Sequence, residues 1–296
     1  MFFIRSYVAL TVLLLVALPL ATAIKQPALL AGARGTLVTF VPADRALVIA
    51  ADSRSTTLGV RCDGRVKLAI PAQPPFTIIA GTGTSEWISA RVPLWPHDPC
   101  GDIEKNGVTF LDAKGLALKY LEQNNQPIWL IDLKAFADYI VKAIIDVSQQ
   151  QPDYVRGFAG RTMFQVVLGA FDPDTNISYV RAIQFNLTDQ SAIEAKLTAD
   201  FKFTNTDNPD YPHFGDTITF TTHVMLGAGR QHLPASLGQI RAKSTIAEVS
   251  VGQASDLAIN LIEAAKLTST DVPELNSIGG AVAAYVIDAN GIKRIK

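Results

Sequence analysis

The stretch that sets the fold runs from Gly35 to Arg54 and reads GTLVTFVPADRALVIAADSR. Two apolar, β-branched runs, Leu37–Val41 and Ala46–Ala51, flank a Pro-Ala-Asp-Arg turn, and this pattern is typical of a β-hairpin. A hairpin brings its two far ends together. The sequence therefore predicts that Thr36 and Asp52 lie near each other at the same end of one sheet.

A candidate catalytic group follows from that placement. A threonine hydroxyl acts as a nucleophile only with a base beside it, and one known solution uses the threonine's own α-amine after the preceding chain has been cut away. That amine needs a nearby cation, which in turn needs a carboxylate. Asp52 supplies the carboxylate, and Lys67, within the strand-like run Gly64–Ile70, supplies the cation. A lysine among apolar neighbours is a candidate for a lowered pKa or a close carboxylate partner.

An ordered set of motifs resembles the proteasome β-subunit family of N-terminal-nucleophile hydrolases. The resemblance spans about residue 35 to the C-terminus. The motifs are Gly35-Thr36, the hairpin ending in IAADSR, Val66-Lys67-Leu68, Ile78–Gly83, Leu226–Gly229 and Gly279–Asp288. The fold that this resemblance implies is an α+β four-layer αββα sandwich, in which helices flank two antiparallel sheets.

The resemblance also implies a role for each matching residue. Thr36 matches the N-terminal nucleophile, and the Gly35–Thr36 bond matches the bond that precursors of the family cut themselves. Asp52 matches the carboxylate that holds the catalytic lysine, and Lys67 matches that lysine, with one residue fewer in the intervening loop. Gly81 matches the glycine whose backbone N–H forms the oxyanion hole.

Three positions depart from the family pattern. Ala228 and Ile278 stand where the family has serines, and Leu275 stands where it has an aspartate. In the family those groups orient the free α-amine and the water that moves protons. Their replacement leaves the nucleophile, the lysine and the oxyanion donor in place.

Length and composition limit the choice of function. The chain has 296 residues, 48% of them hydrophobic, which fits one large domain or two small ones. Its net charge is −1 and it has no basic run, so nothing favours nucleic acid as a partner. Sequence motifs for nucleotide phosphates and for serine hydrolases are absent, and no cofactor is predicted.

The N-terminus has the pattern of a targeting segment. Arg5 supplies a positive charge, an apolar stretch follows, and Ala21-Thr22-Ala23 is a small-x-small cleavage site. The sequence predicts a signal peptide at residues 1–23, a pro-segment at 24–35 and a hydrolase domain at 36–296. The protein is then secreted or periplasmic and keeps no membrane span after signal removal; the alternative reading is a membrane anchor.

The two cysteines, Cys62 and Cys100, are either a disulfide or two independent thiols, and an exported protein readily forms the disulfide. Neither cysteine has metal-ligand spacing, and the four histidines form no zinc-binding pattern. No metal site is therefore predicted.

Periodicity predicts further elements. Helices are expected near Ser85 and over Asp112–Asn124, Leu133–Val147 and Ser255–Leu267, and a loop without regular structure over Pro93–Gly107. Strands are expected over Arg65–Ile70, Thr77–Ala80, Thr162–Phe171, Ile177–Phe185, Thr217–Phe220, Ala281–Ile287 and Ile292–Ile295.

Three functions are compatible with these residues. The leading hypothesis is an exported threonine hydrolase that cuts amide bonds in peptides or unfolded proteins after cleaving itself at Gly35–Thr36. The second is a member without catalytic activity that acts as a binding or assembly module, and the third is an amidase with a small non-peptide substrate. Assembly into a homo-oligomeric ring is implied by the resemblance alone.

Overall fold

A computed structural model describes residues 29–33, 36–57, 60–90, 98–215, 217, 220–269, 272 and 276–296. The predicted signal peptide at 1–23 lies outside the described residues, as do Gly35, Leu275 and all of the predicted pro-segment except residues 29–33.

The described residues begin with eight strands, and helices are interspersed among the later strands. The strands are β1 (Leu29–Ala33), β2 (Leu37–Ala43), β3 (Ala46–Asp52), β4 (Ser55–Thr57), β5 (Val60–Cys62), β6 (Leu68–Ala69), β7 (Thr77–Gly83), β8 (Glu86–Ala90), β9 (Val108–Asp112), β10 (Arg161–Asp172), β11 (Ile177–Leu187), β12 (Ile193–Phe203), β13 (His213–Gly215), β14 (Val282–Asp288) and β15 (Gly291–Arg294). The helices are α1 (Pro99–Asn106), α2 (Ala113–Asn124), α3 (Leu133–Gln150), α4 (Pro152–Arg156), α5 (Ala235–Arg241) and α6 (Val251–Ser269). A π-helical turn (Phe220–Met225) and short 3₁₀ turns (Ala228–His232 and Ile246–Glu248) precede α6.

Antiparallel pairing builds two five-stranded sheets. One has the strand order β13-β2-β3-β14-β15 and the other β12-β11-β10-β7-β6. A three-stranded sheet, β1-β8-β9, and the pair β4-β5 complete the strands of the described residues. The chain is a mixed α/β protein with several antiparallel sheets.

The β2–β3 hairpin is the centre of the fold. Every residue of both strands is buried, as expected for strands packed on both faces. Its Val38, Phe40 and Ile49 share one hydrophobic cluster with side chains of β10 and β11 from the other five-stranded sheet. Its Leu37 and other alternate residues pack instead against α6. A further cluster joins α2 and α3 to β7 and β10.

Most of the strongly periodic predictions are confirmed. The β2–β3 hairpin, the β10–β11 hairpin, the last two strands and the helices α2, α3 and α6 all lie within a few residues of their predicted bounds. Asp112 and Asp132 cap α2 and α3 by accepting hydrogen bonds from the first-turn amides, which is how those helices begin.

The prediction of a helix near Ser85 is wrong. Residues Glu86–Ala90 form strand β8, which pairs with β1 on one side and β9 on the other. Trp87 is fully buried, and its ring stacks on that of Phe158 at a centroid distance of 5.7 Å. These partners lie far away in the sequence, so local propensity did not reveal them.

The prediction that Pro93–Gly107 lacks regular structure is also wrong, because Pro99–Asn106 is helical. Pro99 occupies the first helical position, where a missing N–H costs nothing, and the Asp98 side chain caps the helix by accepting from the Gly101 amide. The proline was therefore a helix start and not a helix breaker.

The remaining corrections concern strands. The expected strand at Arg65–Ile70 is only Leu68–Ala69. Residues 218 and 219 of the expected strand at Thr217–Phe220 lie outside the described residues, whereas Thr217 is helical and Phe220 begins a π-helical turn. A short strand lies upstream, at His213–Gly215. Strand β12 was not foreseen, because most of its residues are exposed and its apolar residues do not alternate regularly.

Within the part of the chain that the structure describes, no helix is both long enough and apolar enough to cross a bilayer.

Candidate active site

The β2–β3 hairpin places Thr36 and Asp52 at one end of a sheet. Thr36 directly precedes β2 and Asp52 is the last residue of β3. The backbone N–H of Leu37 donates to Asp52 Oδ1 over 2.9 Å. Since Leu37 follows Thr36 in the chain, this hydrogen bond ties the position of the threonine to that of the carboxylate.

The Asp52 carboxylate is buried and fully used. Oδ1 accepts from the Leu37 amide and from Lys67 Nζ at 3.3 Å, while Oδ2 accepts from the amides of Gly279 at 3.0 Å and Arg54 at 3.2 Å. The residue is 1% exposed. A buried carboxylate needs this many donors, because each oxygen has lost its water.

Lys67 links the carboxylate to the threonine. Its Nζ donates to Thr36 Oγ1 over 2.9 Å, to Asp52 Oδ1, and to the backbone carbonyl of Arg54 through a short contact. The side chain of Lys67 is 7% exposed and Thr36 as a residue is 4% exposed. The hydroxyl, the ammonium and the carboxylate therefore form one continuous chain of contacts.

Burial shifts both charged groups toward their neutral forms. Burial lowers the pKa of Lys67 below its ordinary value of 10.5, although the Asp52 charge and hydrogen bond favour the ammonium. Burial likewise raises the pKa of Asp52 above 3.8, against the opposing effects of Lys67 and of the Gly279 and Leu37 amides. An amine with a lowered pKa, 2.9 Å from a hydroxyl, is suited to accept that hydroxyl's proton.

A cleft opens beside Thr36. The predicted oxyanion residue Gly81, on β7, lies in its lining together with Thr36 and Lys67. A Cβ at position 81 would come within 2.8 Å of Ser85 Oγ, so the backbone passes close to a neighbouring side chain there. The other charged residues that line the cleft are Arg65, Glu86, Asp112 and Lys114.

Ser55 contributes a polar group to this cleft that the sequence reasoning missed. It is 4% exposed, and its Oγ has no hydrogen-bond partner within the described part of the chain. A buried hydroxyl without a partner costs about 1–3 kcal/mol. The only sequence signal was its position three residues after Asp52.

Two further participants, Gly279 and Arg54, were seen in the sequence as motif residues but not as ligands of Asp52. Their amides hold Oδ2, and the Arg54 carbonyl holds Lys67. Backbone groups carry no residue-type signature, so only the folded chain shows them.

The departures from the family pattern fall in different places. Ile278 is fully buried in the cluster between α6 and the β2–β3 sheet, and Ala228 begins a 3₁₀ turn. Leu275 lies outside the described residues. At position 278 the apolar side chain thus contributes to the core.

The cysteines and possible metal ligands complete the site. The structure joins Cys62 and Cys100 in a disulfide between β5 and α1. Among the residues that the structure describes, no three His, Cys, Asp or Glu side chains are grouped so that they could hold a metal ion.

Fold and site together define a mixed α/β protein with a buried threonine–lysine–aspartate cluster. No protein-family model matches the chain, and no curated protein matches it. Similar solved structures include Anbu (ancestral beta-subunit) from Yersinia bercovieri, with 12% identity, a TM-score of 0.42 and coverage of 88% of this chain and 87% of that one. Another is an Anbu (Gly-1) mutant from Hyphomicrobium sp. strain MC1, with 14% identity, a TM-score of 0.41 and the same coverages.

The assignment to the proteasome β-subunit family, made from sequence motifs, is wrong. No family model matches, and the similar structures are Anbu proteins at 12–14% identity and TM-scores of 0.41–0.42. The chain therefore has only a distant structural similarity to Anbu, and a likeness at that level carries no argument about function. Any function proposed for Thr36, Asp52 and Lys67 must therefore be based on the distances between them and on their burial.

Proposed function

We propose that this protein is a threonine-type hydrolase of amide bonds with Thr36 as the nucleophile. The observation that carries the proposal is the contact of 2.9 Å between Lys67 Nζ and Thr36 Oγ1, with Asp52 on the far side of the lysine. A nucleophile, a base and a third group that orients the base are the general requirement for covalent catalysis by a hydroxyl.

The first reaction is cleavage of the protein's own Gly35–Thr36 bond. The Thr36 hydroxyl attacks the carbonyl of Gly35 and Lys67 takes up its proton. The C–N bond breaks, an ester forms at Oγ, and the proton passes to the leaving nitrogen. The α-amine of Thr36 is free from this point. Water then hydrolyses the ester, which releases the preceding segment with a carboxylate on Gly35 and restores the Thr36 hydroxyl. In the uncut chain that nitrogen is an amide, so Lys67 is the group placed to act as the base.

The processed enzyme repeats this chemistry on another molecule. Thr36 Oγ attacks the substrate carbonyl, and the freed α-amine serves as the base, directly or through a water. In the processed enzyme Lys67 takes a proton from solvent and acts as an ammonium, whose charge raises the fraction of neutral α-amine, and Asp52 holds that ammonium in place. The N–H of Gly81, in the lining of the same cleft, binds the oxyanion.

The wider organisation belongs to the same proposal. Residues 1–23 are a signal peptide, 24–35 a pro-segment and 36–296 the hydrolase domain, and the protein is secreted or periplasmic. The Cys62–Cys100 disulfide supports an oxidising compartment. The stacking of α6, the two five-stranded sheets and the α2–α3 pair in a four-layer αββα order is supported by the three hydrophobic clusters between them. The substrate is a peptide or an unfolded protein.

A second candidate is a binding or assembly module that no longer catalyses. The observation that favours it is the apolar, fully buried Ile278, beside the Gly279 amide that holds Asp52. On this alternative the Gly35–Thr36 bond stays intact.

Intact-mass measurement and chemical labelling separate the two. The full chain, expressed with its N-terminus, should yield a species that begins at Thr36 and that an epoxyketone labels on Thr36. Thr36→Ala should abolish both results, whereas the exposed Thr162→Ala on β10 serves as a matched control and should change neither. A mature start at Ile24 with hydrolysis of peptides or small amides unimpaired by Thr36→Ala would overturn the proposal.

A further inference from the structure

Arg54 joins the two charged groups of the site through its backbone. Its N–H donates to Asp52 Oδ2 at 3.2 Å and its carbonyl accepts from Lys67 Nζ. Any shift of the Arg54 backbone therefore changes the carboxylate and the ammonium together. What fixes Arg54 also fixes Lys67 relative to Thr36.

The Arg54 side chain is held by a carboxylate that the proposed chemistry does not use. Its Nε and Nη2 donate to Asp63 Oδ1 at 2.7 Å and Oδ2 at 3.0 Å, a fork of two parallel hydrogen bonds. Such a fork fixes direction as well as distance, which a single contact does not.

Asp63 is itself anchored on both sides along the chain. Cys62 precedes it and is bonded to Cys100 of α1. Gly64 follows it and donates its N–H to Ser53 Oγ at 3.1 Å. The short segment between the disulfide and Lys67 is thus fastened directly to the residues around Asp52.

The Gly279 backbone closes this arrangement from a third direction. A Cβ at Gly279 would lie 2.4 Å from Arg54 Cζ, so the guanidinium packs directly against the glycine backbone. The Gly279 carbonyl accepts from the Arg54 amide at 3.0 Å, and its own N–H goes to Asp52. The Arg54 guanidinium is therefore restrained by the Gly279 backbone as well as by Asp63.

The solvent exposure of the Arg54–Asp63 pair indicates that it serves to position residues and not to stabilise the fold. The two side chains are 23% and 50% exposed. Ion pairs this accessible contribute about 0–1 kcal/mol to stability. The pair therefore adds little stability. Its effect is to restrain Arg54, which contacts both Asp52 and Lys67, and so to fix the positions of those two groups.

We propose that Asp63 and Arg54 are positioning residues: Asp63 orients Arg54, and Arg54 sets the distance between Lys67 and the Thr36 hydroxyl. This inference builds on the proposed hydrolase function. It means that a segment held by a disulfide positions the site, although this segment contains neither the nucleophile, the base nor the oxyanion donor.

The test uses the full-length chain with Asp63→Asn, Arg54→Lys and, as a control, Asp153→Asn, which removes a different exposed ion pair on α4. Arg54→Lys keeps the charge and loses the planar fork. Both site variants should lower kcat for a fluorogenic peptide about 10- to 100-fold, as misplacement of a catalytic group does, with KM nearly unchanged. The control should match the wild type.

A second readout does not require activity. NMR titration of the side-chain nitrogen of Lys67 in ¹⁵N-lysine-labelled protein reports its pKa. Asp63→Asn should lower that pKa further, because the Asp63 charge favours the ammonium. Arg54→Lys preserves both charges, so a changed pKa there reports displaced geometry and not lost charge.

The two readouts separate failure of the inference from failure of the proposed function. An active wild type whose kcat and Lys67 titration are unaffected by Arg54→Lys would overturn the positioning role and leave the hydrolase intact. An inactive wild type whose Lys67 titration still moves in both site variants would overturn the hydrolase and retain the positioning role.

Discussion

Two ion pairs in this molecule have similar chemistry and opposite surroundings. Asp52 and Lys67 lie beside the buried β2–β3 hairpin, with side-chain exposures of 0% and 7%. Asp200 and Arg181 lie opposite each other on β12 and β11, with exposures of 44% and 14% and a contact of 2.8 Å. The buried pair is longer, at 3.3 Å, yet its carboxylate accepts three backbone amides as well.

The difference indicates what each pair is for. Burying two charges costs several kcal/mol per ion, and well-packed apolar residues are often no less stable in their place. In the Arg181–Asp200 pair the carboxylate stays accessible to water, so that pair carries less of this cost and contributes little. The Asp52–Lys67 pair is therefore better explained by the chemistry it makes available at Thr36 than by stability.

The largest expected effect is on catalysis. Lys67→Met keeps an unbranched side chain as far as Cε and removes the amine that contacts Thr36 Oγ1. We expect hydrolysis and epoxyketone labelling to fall by about 10³-fold or more, as for loss of a member of a catalytic unit. Arg181→Met, made in the exposed pair, should retain activity. Circular dichroism is the check that both variants fold. Equal activity in the two folded variants would show that the buried pair has no special part in catalysis.

The next effect is on stability. Asp52→Ala leaves Lys67 buried without its carboxylate and removes the carboxylate acceptor of the Leu37 and Gly279 amides, so the free energy of unfolding should fall by about 3–5 kcal/mol. Asp200→Ala should cost at most about 1 kcal/mol. Urea denaturation of both variants measures the two values, and similar losses would contradict the contrast.

The disulfide beside the buried pair should have an intermediate effect. Cys62 and Cys100 are 38 residues apart, and a loop of that length is stabilised by about 2–4 kcal/mol when it is closed. The double variant Cys62→Ala/Cys100→Ala should lose that amount in urea denaturation. Reduction of the wild type should reproduce this loss. Reduction of the Asp200→Ala variant should lower its free energy of unfolding by the same amount as in the wild type. A loss below 1 kcal/mol would show that α1 and β5 hold together without the bond.

The smallest effect is a pH dependence of stability that comes from burial of the Asp52–Lys67 pair. Burial raises the pKa of Asp52, so the folded state binds more protons than the unfolded state just above pH 3.8, and this contribution to stability is lost as pH rises through the folded pKa. Burial lowers the pKa of Lys67, so below pH 10.5 the unfolded state binds more protons and stability rises with pH.

Urea denaturation across pH, for the wild type and for Asp52→Asn/Lys67→Met, checks these signs. The free energy of unfolding of the wild type relative to that of the double variant should be lowest at intermediate pH and should increase toward both low and high pH. A difference that is independent of pH would show that burial does not shift this pair.

Elements with a regular pattern of buried apolar residues could be predicted from the sequence, and elements that depend on distant pairing or lie exposed at an edge could not. The β2–β3 hairpin, α3 and the β10–β11 hairpin were predicted because their apolar residues repeat at the period of the element they form. Strand β8 was missed because its pairing with β1 and β9 is what makes it a strand. Strand β12 was missed because an exposed edge shows no clear alternation.

The sequence by itself determined that Thr36 and Asp52 lie at one end of a sheet, since a hairpin turn closes within a few residues. It also supplied Lys67 as the candidate cation. The tertiary structure decided which backbone groups bind Asp52 and Lys67: the Gly279 amide is 227 positions from Asp52, and the Arg54 carbonyl has no sequence pattern that marks it as a partner of Lys67. Periodicity reports which face of an element is buried, whereas backbone contacts and burial of charge exist only after distant segments have packed together.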